Sequence, residues 1–174
     1  MSLATYNPGM TAERLDRYAA TPKTLAHLVA EAGDARLDTS PAGEWSVRVI
    51  LAHLRDVEML SGRLRYERML AEEAPVFADF DEDAWVANRN RTRDRKDWLL
   101  ADFALQRQAT VGMLRAIRPE EWKRTGSHPY RGVFTVSTWL DACLDHDAQH
   151  IAQVERLLGE TLDDVVRRRS RRDR

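Results

Sequence analysis

Residues 144–158 read "LDHDAQHIAQVERLL". Leu140, Cys143, Ile151, Val154, Leu157 and Leu158 fall on one stripe at helical spacing, so a single amphipathic helix is predicted from about Thr135 to Leu158, stopped by Gly159. His146 and His150 lie within that stripe. Four residues advance a helix by about 400°, so the two imidazoles project from the same face about 40° apart, one turn from each other. They point toward a helical partner, and both can reach one ion. The spacing alone also suits two ordinary residues on a partly exposed face.

Working back along the chain, "EWSVRVILAHLRDVEMLSGRLRYERML" opens another helix. Ser46 is placed to cap its first amides, and Trp45 to staple onto Ile50. Val49, Ile50, His53, Leu54, Val57, Leu60, Leu64 and Met69 form its expected inward stripe. Residues 11–32 carry Leu15, Tyr18, Ala19, Leu25, Leu28 and Val29 at similar spacing, with Gly33 as a stop and Pro22 expected to kink or break the helix near Ala20. The following "DARLDTSPAGEW" has loop chemistry. A further helix is predicted from Asp97 to Ile117, with Leu99, Phe103, Thr110, Met113, Leu114 and Ile117 inward, Arg107 on or beside that face, and Pro119 closing it. No alternating strand pattern and no internal repeat competes. The fold expected is an all-α four-helix bundle, with a connection of about 20 residues or more between the second and third helices.

The chain of 174 residues is 43% hydrophobic and 32% charged, the composition of a soluble globular protein. No apolar run approaches the roughly 20 residues of a membrane span. The start, "MSLATYNPGMTAERLDRY", lacks a secretory pattern and Cys143 is the one cysteine, so a cytoplasmic setting without intrachain disulfides is expected. Residues 1–160 are expected to form the domain and residues 161–174 an Arg-rich tail. Its last ten residues hold six Arg and one Asp, against a formal net charge of −1 for the whole chain. A solvated, frayed end is favoured over a nucleic-acid contact.

His53 changes the weight of the histidine pair. It stands on a second inward helical face, and three converging imidazoles are hard to explain as packing, because each is costly to bury without partners and one divalent ion satisfies all three. Three histidines with no fourth protein ligand leave positions open for water or substrate, the arrangement of catalytic zinc sites. Cys143, one turn before His146, is placed either as a soft fourth ligand or, the favoured reading, as a small core residue. Asp147 and Gln149 are candidates to orient an imidazole or a water. Arg107 suits either an anionic substrate group or a paired position at the edge of the core.

"EWSVRVILAHLRDVE" resembles the W-S-x-x-x-x-x-x-H-L segment of the DinB/YfiT-like superfamily, and "SHPYRGVFTVSTWLDACLDHDAQHIAQVERLL" resembles its H-P-x-x-G followed by H-D-x-x-H-x-x-Q. The resemblance runs from about Thr11 to Leu158, although residues 74–96 contribute no motif to it. It implies a four-helix bundle, often a homodimer, with zinc or nickel held by His53, His146 and His150. His128 matches a loop position that is not a ligand. It also implies a metal-dependent enzyme acting on a small molecule, with S-transfer using a low-molecular-weight thiol as the leading chemistry. A metal-dependent hydrolase and a non-catalytic metal-binding or dimerisation module are the alternatives.

Overall fold

A computed structural model describes residues 8–159, together with residues 163, 164, 167, 170 and 171. The expected Arg-rich tail therefore lies, apart from those five helical positions, outside the described residues. Four long helical stretches make the bundle: α1 (Pro8–Leu28), α3 (Val47–Val57) continuing through a π-helical turn (Glu58–Arg63) into α4 (Leu64–Ala71), α6 (Lys96–Ala116) and α7 (Val136–Leu158). Both α1 and α3 pack against α6 and α7. None of the described helices is long and apolar enough to cross a membrane.

Local chemistry sets the ends of these helices. Ser46 accepts a hydrogen bond from Val49 N, capping α3 as its sequence predicts, and Thr135 does the same for α7 through Thr138 N. Gly159 closes α7 with φ +63°, in the left-handed region that glycine tolerates best. Trp45 packs against the cluster containing Ile50.

The core has two apolar halves. One holds Leu25, Leu28, Ile50, Leu54, Leu99 and Phe103; the other holds Leu15, Tyr66, Met69, Leu114, Val136 and Leu140. Along every long helix the residues between these halves are polar and buried: Thr21 on α1, His53 at the end of the first half and Glu58 after it, Arg107 on α6, and Asp147 and His150 on α7. The bundle thus carries a polar layer at mid-height.

Several elements differ from expectation. Pro22 does not break α1, which runs through it. A proline removes the hydrogen bond to the carbonyl four residues earlier, here Tyr18 O, and Arg107 Nη1 donates to that oxygen at 2.7 Å. Gly33 is not the stop of α1; it precedes α2 (Asp34–Asp38), which turns part of the expected loop into helix. Leu37 anchors α2 by full burial, and Arg48 holds Asp34 at 2.7 Å and Asp38 at 2.6 Å. Leu60 and Leu64, expected inside, are exposed. The π-helical turn uses wider i→i+5 bonds, so the inward face shifts to Glu58, Ser61, Gly62 and Arg65.

The connection from 72 to 95 is ordered by α5 (Glu82–Asn88) and a 3-10 turn. The expected loop "TGSHPYRGVF" is a hairpin, β1 (Thr125–His128) paired antiparallel with β2 (Gly132–Thr135). The long connection is pinned to it, since Phe77 N donates to Ser127 O at 2.8 Å and Ser127 N to Pro75 O at 2.9 Å. Gly126 permits this approach: a Cβ there would stand 2.4 Å from the Phe77 ring.

Candidate metal centre

His53 on α3 and His146 and His150 on α7 converge. One ring nitrogen from each lies within 4.8 Å of the other two, and His146 Nε2 is 3.1 Å from both His53 Nε2 and His150 Nε2. Hydrogen bonding cannot satisfy all three rings, because the single proton of His146 Nε2 can serve one neighbour only. His53 Nδ1 is buried without a partner. His150 Nδ1 faces Gln153 Oε1 at 2.7 Å. The amide oxygen accepts, so the proton of His150 sits on Nδ1 and its Nε2 presents a lone pair to the other two rings.

Electrostatics keep these rings neutral. Burial, then the neighbouring His150 and His146, lowers the pKa of His53 to about 3. Burial, then His150, Arg107 and Arg131, lowers His146 to about 3 against the opposing charge of Glu58. His150 is lowered by burial while Gln153, Asp147 and Glu82 pull the other way. Neutral imidazole is the form that ligates metal. Two imidazole nitrogens bound at ~2.0–2.1 Å to one tetrahedral ion stand ~3.3 Å apart, close to the 3.1 Å that separates His146 from each of its two neighbours.

Aromatic rings wall the cluster. Trp45, Trp85 and Phe80 lie 4.8, 5.3 and 6.1 Å from the His53 ring, and Trp45 stacks on His150 at 6.3 Å. Trp85 is fixed by donating from Nε1 to Asp56 Oδ2 at 3.0 Å. Beside the cluster a pocket of about 340 Å³ opens between α3 to α4 and α7, lined by His53, His146, Glu58, Arg65, Arg131 and Gln149 among others.

Beneath the pocket lies a buried ion network. Arg107 bonds both oxygens of Asp147 at 2.6 and 3.1 Å and Glu58 Oε2 at 2.9 Å. Tyr18 donates to Glu58 Oε2 at 2.9 Å and Thr21 to Asp147 Oδ2 at 2.7 Å. Arg107 therefore takes the paired position rather than awaiting a substrate anion. Asp147 is engaged by Arg107 and Thr21 rather than by an imidazole. Cys143 lies outside the histidine group; it is a core residue receiving Tyr66 OH at 3.7 Å, and burial raises its thiol to about 12. His128 is also apart from the cluster, with Nδ1 accepting from Tyr130 N at 3.2 Å and Nε2 3.3 Å from Asp79 Oδ1.

The profile of the DinB superfamily matches residues 17–154. The chain belongs to the DinB superfamily. Among its DinB relatives, YfiT of Bacillus subtilis is 31% identical over 139 residues, covering 78% of this chain and 77% of its own. OB0782 of Oceanobacillus iheyensis is 28% identical over 137 residues, 78% of each chain. Both names place these proteins, provisionally, with metal-dependent hydrolases. The solved structure of YfiT, described as a probable metal-dependent hydrolase with an unusual four-helix bundle topology, superposes with a TM-score of 0.80 at 24% identity over 92% of this chain and 94% of its own. That likeness establishes the DinB bundle fold here.

The family motifs contain Gln153, the terminal Q of H-x-x-x-H-x-x-Q, yet its partner was not legible until the helix placed it one turn beyond His150. Glu58, Phe80 and Trp85 were not singled out from the sequence. Glu58 falls on the inward side only because of the π-helical turn, and Phe80 and Trp85 come from the connection that carries no family motif.

Proposed function

We propose that this chain is a metal-dependent hydrolase of a small molecule, with His53, His146 and His150 as the ligands of one divalent ion. The observation that carries the reading is the convergence of three neutral imidazoles whose mutual contacts one proton cannot satisfy, with one orphaned nitrogen, two of the rings, His53 and His146, lining a pocket of about 340 Å³. A bound ion supplies Lewis acidity there, polarising a substrate oxygen and acidifying water.

The chain's own residues do the rest. Gln153 holds the His150 ring and its tautomer, as a carbonyl partner does for metal-bound histidines generally. Trp45, Phe80 and Trp85 exclude bulk water from the rings and strengthen local electrostatics. Arg107 pairs with two carboxylates, Glu58 and Asp147, which leaves one formal negative charge beneath the pocket. Hydrolysis is preferred to thiol transfer because the relatives are named for hydrolysis.

The test is a panel of small esters, amides and lactones, assayed with and without added thiol, on protein of measured metal content. Hydrolysis should follow metal content, be independent of thiol, and fall at least ~100-fold in His150→Ala. Turnover that persists at full rate after metal removal, or that requires thiol, would refute the hydrolase reading.

A further inference from the structure

Three arginines are buried in the described part of the chain, and two of them are matched by acids. Arg55 has Asp56 at 2.7 Å and Asp94 at 3.8 Å; Arg107 has Asp147 and Glu58. Arg65 is different. It is 6% exposed, yet no carboxylate among the described residues lies within ion-pair distance. Its polar contact is a 3.3 Å hydrogen bond from Nη2 to Ala78 O, and its guanidinium stands over Trp139 at 4.5 Å and Phe77 at 5.7 Å. Five N–H donors on a rigid fork are thus left mostly unused. A buried charge without a counterion is costly.

The surroundings sharpen the imbalance. Burial and then the like charge of Arg131 disfavour the charged form of Arg65, with Asp79 and Cys143 opposing. Asp79 is meanwhile set against His128 Nε2 at 3.3 Å. Arg131 is exposed in the turn between β1 and β2, with no acidic partner among the described residues. Both arginines line the same pocket as His53 and His146.

We propose that Arg65 and Arg131 form an oxyanion-binding subsite that receives a carboxylate or phosphate group of the substrate and orients the rest of it toward the three histidines. An oxyanion there relieves the repulsion between the two guanidiniums and fills the unused fork of Arg65, where planar bidentate pairing is strongest. The stacked faces of Trp139 and Phe77 hold that fork in place. The substrate class is then an anionic small molecule. The inference rests on the reading of this pocket as the substrate site.

Calorimetric titration tests it with inorganic phosphate, succinate and the neutral succinamide as probes. The protein is taken with its metal, and the variants are Arg65→Met, Arg65→Lys, Arg131→Ala and the double variant His146→Ala, His150→Ala. One or both anions should bind the unaltered chain while succinamide does not, and the tighter one names the oxyanion. Arg65→Met should weaken binding at least ~tenfold. Arg65→Lys should recover only part of that loss, because an ammonium keeps the charge but not the bidentate fork, and Arg131→Ala should weaken binding less and reduce its salt dependence. The double histidine variant should still bind the anion. Anion affinity unchanged in Arg65→Met, or lost in the histidine variant while Arg65→Met retains it, overturns the subsite. Normal metal content and hydrolysis beside such a result would leave the hydrolase reading standing; Arg65-dependent binding without metal-dependent hydrolysis would do the reverse.

Discussion

The proton on His150 Nδ1 decides which nitrogen faces the other histidines, and one side chain sets it. Gln153→Ala should leave the bundle folded yet weaken metal affinity by about 10- to 100-fold in a chelator competition, because the ring loses its orienting acceptor. Unchanged affinity would show that Gln153 does not orient the ligand. Cys143 provides a check on pH behaviour. Its pKa rises from 9.0 to about 12 on burial, so the unfolded chain releases the thiol proton first. This contribution to stability is intact below about pH 9 and is lost as pH climbs toward 12. The native thiol should resist iodoacetamide at pH 8 and react promptly in denaturant; fast labelling of the folded protein would contradict its placement. The three histidines were legible as residues because their spacing fixes their faces. The unpaired state of Arg65 was not, since the sequence shows charges but not which of them find partners.

Spacing also explains which elements could be foreseen. Regular α-helical periodicity locates the four long helices, and the capping residue Ser46 marks the start of one of them. The reading fails where the period changes: the π-helical turn at Glu58–Arg63 moves Leu60 and Leu64 outward and Glu58 inward. It fails again where a distant group compensates a breaker, as Arg107 does for Pro22 through Tyr18 O. The hairpin is too short for an alternating signal and depends on contact with the connection. Gly126→Ala should destabilise the protein by about 1–3 kcal/mol, as overpacking does, because its Cβ would meet the Phe77 ring. Adding Phe77→Leu should recover part of that loss in urea unfolding. A Gly126→Ala chain as stable as the original would mean that this junction is loosely packed.

At the scale of the whole molecule, the proposed ion at His53, His146 and His150 would tie α3 to α7 across the polar layer that divides the core. Ligand binding to the folded state alone adds about 2.7 kcal/mol at a hundredfold excess over Kd, and about 2–4 °C of Tm accompanies each kcal/mol in a chain of this size. Removing the metal should therefore lower Tm by roughly 5–10 °C, measured by differential scanning calorimetry. The bundle was readable from sequence because all four apolar stripes agree; its site was readable only as far as the three histidines, because part of the pocket wall, Asp79, Phe80 and Arg131, comes from segments without periodic signal. The most direct test of the central claim is elemental analysis of the purified chain beside His53→Ala, His146→Ala and His150→Ala. The account predicts about one divalent ion per chain, largely lost in each variant. A full complement of metal in the three variants would contradict it.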